Sequence, residues 1–272
     1  MSNKRSHSFH IIDPSPWPIL VSLSLFNLLM GFILWVNKYV IASDIILSSL
    51  LFLIIVVTCW FEDIISEATY EGKHSEPVQQ GLKLGMILFI VSEIMFFFGF
   101  FWAYFHFALS PSIEIGCFWP PFGIQVFDCL HVPLYNTFVL LLSGVSVTWC
   151  HHNIVSNKSD LDVNWEGLIW TIVLAIHFTY YQVVEYNEAG FNISDSVYGS
   201  IFFMATGFHG FHVILGTCFL LVCFFRLSQG HFGIRHHLGL EFAIWYWHFV
   251  DVVWLFLYVC VYWWTSTSVA LK

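Results

Sequence analysis

The sequence predicts an all-α polytopic membrane protein that crosses a lipid bilayer with seven transmembrane helices. Of its residues, 58% are hydrophobic and only 10% are charged, whereas a typical soluble domain carries about 25% charged residues. Apolar stretches of about 20 residues, the length that a helix needs to span a bilayer, recur along the chain. They lie near 17–36, 40–61, 82–108, 132–151, 165–185, 197–225 and 240–264.

The chain is predicted to form a single membrane domain over residues 1–272, because no composition shift or charge run marks a boundary. The longer connections are predicted at Glu62–Gly81 and Leu109–His131, which carry polar residues, Pro and Gly. The formal charge of −9 reflects a shortage of Lys and Arg, which number nine. Nucleic acid is therefore not an expected partner.

The distribution of Lys and Arg predicts the orientation in the membrane, because cytoplasmic or matrix loops carry an excess of these residues. Seven spans put the two termini on opposite sides, and the N-terminal side holds the excess. The N-terminal side would hold Lys4, Arg5, Lys73, Lys83, Lys158, Arg226 and Arg235, and the opposite side would hold Lys38 and Lys272. The N-terminus is accordingly expected on the inner side.

The seven cysteines are scattered and form no C-x-x-C pair of the kind that a zinc or redox site would show. Cys117 and Cys129 share one predicted connection and are the two that could pair. Spacing alone does not decide whether they do.

Glu93 and Asp251 are the intramembrane carboxylates that the sequence singles out, because an ionisable side chain at mid-bilayer depth costs at least about 2.5–3.5 kcal/mol. Glu93 has no Lys or Arg within a helical turn. It could be a proton-exchanging or lipid-contacting carboxyl, or a neutral acid bonded to a neighbouring helix. Asp251 and His248 lie one turn apart and could pair as a structural bridge.

His209 and His212 are also spaced three apart, and haem or copper ligation is the functional hypothesis for them. Helical metal sites usually show Glu-x-x-His or His-x-x-x-His patterns with convergent carboxylates, and these patterns are absent. The interpretation favoured is hydrogen-bonded packing histidines, with no metal site in this chain.

Five blocks of sequence occur in order, and together they are specific: DPSPWP at 13–18, EIGCFWPPFGI at 114–124, SGVSVTWCHH at 143–152, ATGFHGFHV at 205–213 and WYWHFVDVVWLFLYV at 245–259. They resemble the subunit III family of mitochondrial cytochrome c oxidase, from about His7 to Trp264.

The resemblance implies a non-catalytic core subunit that supports assembly, stability and proton uptake of the catalytic subunit during electron transfer from cytochrome c to oxygen. It implies two helices set apart from five by a cleft that holds phospholipids, with haem and copper in partner subunits I and II, and accessory subunits alongside. The implied location is the mitochondrial inner membrane, with the N-terminus in the matrix and the C-terminus in the intermembrane space. The alternative is a self-sufficient membrane proton carrier or haem-binding cytochrome.

The resemblance also assigns residues. Glu93 matches an intramembrane carboxylate of the family, and His7 and His10 resemble matrix-side histidines that could collect protons. Arg226 matches an arginine placed to hold a lipid phosphate. The positions around the lipid cleft are Trp60, Glu67 and His74.

The segment after the second span departs from the family pattern. Two cations common in the family are missing, because Glu62 and Ser66 stand where arginines are usual. Lys73 is the cation nearby that could replace them, so it joins the candidate lipid-binding residues.

Overall fold

The computed structural model describes residues 9–156, 161–234 and 236–270, and it confirms the predicted all-α fold. Within these ranges, seven helices are long and apolar enough to cross a bilayer. The first six are α1 (Trp17–Val36), α2 (Ala42–Thr69), α3 (Glu76–Leu109), α4 (Val132–Val155), α5 (Leu161–Glu188) and α6 (Val197–Ser228). The seventh begins as α7 (Leu238–Leu257) and continues through a π-helical turn, Tyr258–Trp263, into the short α8, Trp264–Ala270.

The predicted long connection Glu62–Gly81 is wrong, because most of it is helical. Helix α2 runs to Thr69 and α3 begins at Glu76, which leaves only residues 70–75 between them. Hydropathy marks where a helix leaves the lipid, whereas the helix itself continues as long as its backbone bonds repeat. Several helices therefore project beyond their apolar stretches.

The chain divides into two compact units, one up to Leu82 and one from Lys83 onward. In the first unit, α1 and α2 approach closely where Gly31 has no side chain, since a Cβ there would lie 2.9 Å from Cγ1 of Ile46. The indole N–H of Trp17 donates to Oδ2 of Asp63 at 2.5 Å. That bond ties the start of α1 to the end region of α2.

The second unit contains a core built by α4, α5, α6 and α7, in which Trp247 and Trp254 are buried. Their indole N–H groups donate to Oγ of Ser143 at 2.9 Å and to Oγ1 of Thr137 at 3.0 Å. Lipid offers no hydrogen-bonding partner, so short hydroxyl side chains on α4 accept these bonds and fix α7 against it.

The segment between α3 and α4 contains a 3₁₀ turn at Ile113–Ile115 and a cis peptide bond between Trp119 and Pro120. Cys117 lies in the left-handed region with φ 58°, which favours glycine. Cys117 and Cys129 are both free thiols, the first exposed and the second buried.

Candidate functional site

The intramembrane carboxylate Glu93 on α3 contacts His212 on α6. Its Oε2 lies 2.8 Å from Nε2 of His212, and the two side chains are 23% and 8% exposed. The other ring nitrogen, Nδ1, lies 2.6 Å from the carbonyl oxygen of Phe208. A carbonyl oxygen only accepts, so Nδ1 carries a hydrogen, and the contact between Nε2 and Glu93 is a hydrogen bond that requires one further proton on either group.

His209 and His212 do not converge on a common point, although they share a helix. Nε2 of His209 lies 3.1 Å from the carbonyl oxygen of Val250, in the fully buried interface of α6 with α7. In α5, Nε2 of His177 lies 2.6 Å from the hydroxyl of Tyr135. Each of these imidazoles therefore has one ring nitrogen in hydrogen-bond contact with a group on a neighbouring helix.

Asp251 and His248 do not form the suggested bridge. Nε2 of His248 lies 3.3 Å from Oγ1 of Thr148. Oδ1 of Asp251 is buried and has no hydrogen-bond partner among the described residues. Both side chains lie over Gly144, where a Cβ would be 3.3 Å from Oδ2 of Asp251 and 3.6 Å from the His248 ring.

A groove of about 480 Å³ lies between α4 and α7 beside Asp251 and His248, and we name it the α4–α7 groove. It has an apolar rim, formed by exposed side chains such as Val145 and Leu141, and a polar floor. Its lining residues are Leu141, Gly144, Val145, Thr148, Trp149, His248 and Asp251.

In the first unit, the structure brings His10, Glu67 and His74 together. One ligand atom of each lies within 4.8 Å of the others, and Nε2 of His10 is 3.9 Å from Oε1 of Glu67. Trp60 lies half-buried on α2, seven residues before Glu67 and on nearly the same face. His7 lies outside the described residues, as do Lys4, Arg5, Lys158, Arg235 and Lys272 from the orientation argument.

Lys73 has two carboxylate partners in the connection between α2 and α3. Its Nζ lies 2.6 Å from Oε2 of Glu71 and 3.1 Å from Oδ2 of Asp13. The bonds to Glu71 and Asp13 raise the pKa of Lys73 above its usual 10.5. An anionic headgroup would therefore have to compete with two carboxylates for this ammonium.

Arg226, in the last turn of α6, differs from Lys73 because its contacts within the described ranges are with an aromatic ring and not with carboxylates. Its guanidinium carbon lies 4.6 Å from the ring centre of Phe232. A Cβ on Gly239 would come within 2.5 Å of a guanidinium nitrogen, so this glycine makes room for the side chain. Among the described residues, no acidic side chain pairs with Arg226, and its buried Nε has no hydrogen-bond partner.

Two clusters are absent from the sequence prediction. Glu185 is the last residue of the predicted span 165–185, but its side chain is 2% exposed and lies beside Gln182 and Tyr262. His151, His237 and Glu241 also converge, with ligand atoms within 4.8 Å of one another. The i, i+4 spacing of His237 and Glu241 was the only local signal, because His151 comes from a different helix.

Comparison with known proteins agrees with the sequence motifs. A family model described as cytochrome c oxidase subunit III matches residues 7–266. The chain is 54% identical to cytochrome c oxidase subunit 3 of Chondrus crispus, over 95% of this chain and 94% of that protein. It is 50% identical to the subunit 3 proteins of Arabidopsis thaliana and Drosophila melanogaster, in each case over 97% of this chain and 99% of the relative.

Proposed function

The chain belongs to the cytochrome c oxidase subunit III family, and from this premise we propose that it is a non-catalytic core subunit of the oxidase complex. In this role it supports assembly, stability and proton uptake of the catalytic subunit while electrons pass from cytochrome c to oxygen. Haem and copper belong to subunits I and II, and accessory subunits complete the complex. The complex lies in the mitochondrial inner membrane, with the N-terminus of this chain in the matrix.

The α4–α7 groove is the observation that carries the proposal. Asp251 lines the groove and leaves one carboxylate oxygen buried without a partner among the described residues. Facing lipid, such a carboxylate would cost several kcal/mol, and intramembrane acids therefore face protein or water. A transmembrane helix of a partner subunit that packs into the groove would cover its apolar rim and separate Asp251 from lipid.

Replacing Asp251 by Ala tests this docking surface. The variant chain should dissociate from the purified oxidase at least tenfold more readily in detergent, which corresponds to about 1.4 kcal/mol of lost binding free energy. The measurement is the amount of this chain that remains with the other subunits during gel filtration.

The matched control is Val252→Ala, which changes the adjacent exposed residue on the same helix. It should leave retention unchanged. Equal retention of the Asp251→Ala variant and the unaltered chain would rule out the α4–α7 groove as a docking surface for another subunit.

We also propose that the chain binds phospholipid through Arg226. The guanidinium lies near the end of α6 and has no acidic protein partner among the described residues. A lipid phosphate offers two oxygens that a guanidinium can bind with parallel hydrogen bonds. The planar group already packs over Phe232, which orients it for such an interaction.

Replacing Arg226 by Ala should remove at least one phospholipid per purified complex, as counted by phosphorus analysis or lipid mass spectrometry. The matched control is Lys38→Ala, which removes one cation from the short connection between α1 and α2. Unchanged lipid content in the Arg226 variant would contradict the assignment.

The cluster of His10, Glu67 and His74 supports the proposed role in proton uptake. Imidazole and carboxylate side chains bind protons reversibly, and one nitrogen or oxygen atom of each of these three residues lies within 4.8 Å of the others. Such a cluster can take up protons from water and release them to a neighbouring acceptor.

A further inference from the structure

We propose that His151, His237 and Glu241 form a binding site for a divalent transition metal ion of the zinc class. The three side chains come from two helix ends, because His151 lies in the last turns of α4 while His237 and Glu241 lie at the start of α7. This site is separate from the residues on which the proposed function rests.

The hydrogen bonding of His237 leaves a lone pair directed into the cluster. Its Nδ1 lies 2.9 Å from the carbonyl oxygen of Gly233, so Nδ1 carries the hydrogen of the neutral ring. A backbone carbonyl on the far nitrogen is the usual way in which proteins orient a metal-binding histidine. The remaining nitrogen, Nε2, is then free to bind a cation.

Two further ligand atoms face that nitrogen. Nε2 of His151 lies 3.3 Å from Nε2 of His237, and Oε1 of Glu241 lies 3.2 Å from it. Donors bound at about 2.0–2.1 Å to a tetrahedral zinc ion lie about 3.3 Å from one another. The two measured separations are therefore those of ligands around one ion.

Because Nδ1 of His237 carries the ring hydrogen, Nε2 directs a lone pair towards the other two ligand atoms. Oε1 of Glu241 lies 3.2 Å from this nitrogen, and two electron-pair donors at that distance repel each other unless a cation, either a metal ion or a proton, lies between them. Two imidazoles and one carboxylate are a ligand set that zinc uses with a fourth, open position.

The surroundings of Glu241 hold its carboxylate in place. Nζ of Lys83 lies 2.9 Å from Oε2, which leaves Oε1 for the ion, and outer partners of this kind orient a ligating carboxylate. Glu241 is 20% exposed whereas His237 is 8% exposed. Water can reach the cluster from the Glu241 side and fill the fourth position.

The test measures zinc binding to the purified oxidase after removal of metal by a chelator, with a chromophoric competitor. The intact complex should bind one more Zn²⁺ than the complex with Glu241→Gln or His237→Gln, or bind that ion at least tenfold more tightly. Zinc sites elsewhere in the complex, including any at His10, Glu67 and His74, are common to all samples and cancel in the difference.

His152→Gln is the matched control, because it removes a neighbouring exposed imidazole from the same turn of α4. It should bind zinc like the unaltered complex. Glu241→Gln keeps the size and shape of the side chain, so it decides the matter if the His237 variant does not assemble. Equal zinc stoichiometry and affinity in the unaltered and Glu241→Gln complexes would overturn the proposal, and would show that a proton occupies the cluster instead.

Discussion

Glu93 shares one proton with His212 across two transmembrane helices. The bond of Nδ1 to the carbonyl oxygen of Phe208 fixes one ring hydrogen, so the remaining proton lies either on Glu93 or on Nε2. Either arrangement satisfies both side chains, and no Lys or Arg is required. Glu93 has no Lys or Arg within a helical turn of the sequence, but the fold gives it a partner in His212.

Replacing Glu93 by Gln should leave oxygen consumption and proton stoichiometry near normal, because the amide can donate to Nε2 of His212 and preserve the contact. Replacing it by Ala should lower the stability of the chain by about 1–3 kcal/mol, since Nε2 then stays buried without a partner. Oxygen electrode and proton-pulse measurements test the first result, and thermal unfolding of the complex tests the second. Lost pumping in a fully assembled Glu93→Gln complex would show that this carboxyl exchanges protons during turnover.

The connection between α2 and α3 contains a titratable group, Lys73, whose ion pairs make this element sensitive to pH. Glu71 and Asp13 raise the pKa of Lys73, so the charged ammonium stabilises this connection. That contribution is fully present below the pKa of the unfolded chain, near 10.5, and is lost as the pH rises through the higher pKa of the folded state.

Hydrogen exchange of the backbone amides at residues 70–75 should therefore become faster as the pH rises above 10.5 and through the raised pKa of Lys73, after correction for the intrinsic exchange rate. In a Lys73→Met variant, the same amides should exchange rapidly at all pH values and show no such transition. An identical pH profile in the two proteins would mean that the ion pairs of Lys73 do not hold the connection.

At the scale of the whole molecule, three histidines of the membrane helices link neighbouring helices of the bundle. They are His177, His209 and His212, and each has a ring nitrogen in hydrogen-bond contact with a group of another helix. A haem held by two axial histidines requires two imidazoles that face each other across one cavity, whereas these three rings bond to groups on different helices and share no common point. The arrangement favours the subunit over the alternative of a self-sufficient cytochrome.

The full chain purified alone in mild detergent should accordingly show no stoichiometric haem absorbance in the visible range, whereas the whole oxidase provides the positive control. A haem band at one equivalent per chain would overturn the proposed role as a non-catalytic subunit.

The sequence by itself determined the all-α class, the seven spans and the family. Apolar length and low charge are local properties, and a helix in lipid satisfies its own backbone bonds, so these features can be recognised without knowing which helices meet. The positions of Glu93 and Asp251 within spans were also recognisable, because any acid there is exceptional.

Only the tertiary structure decided which polar groups meet. Glu93 and His212 are 119 residues apart, and His151 and His237 are 86 apart, so their contacts depend on how separate helices pack. The extension of α2 and α3 beyond their apolar stretches and the burial of Glu185 were likewise not recognisable from hydropathy. Hydropathy measures the average environment of a segment, whereas a site depends on the positions of individual atoms from distant segments.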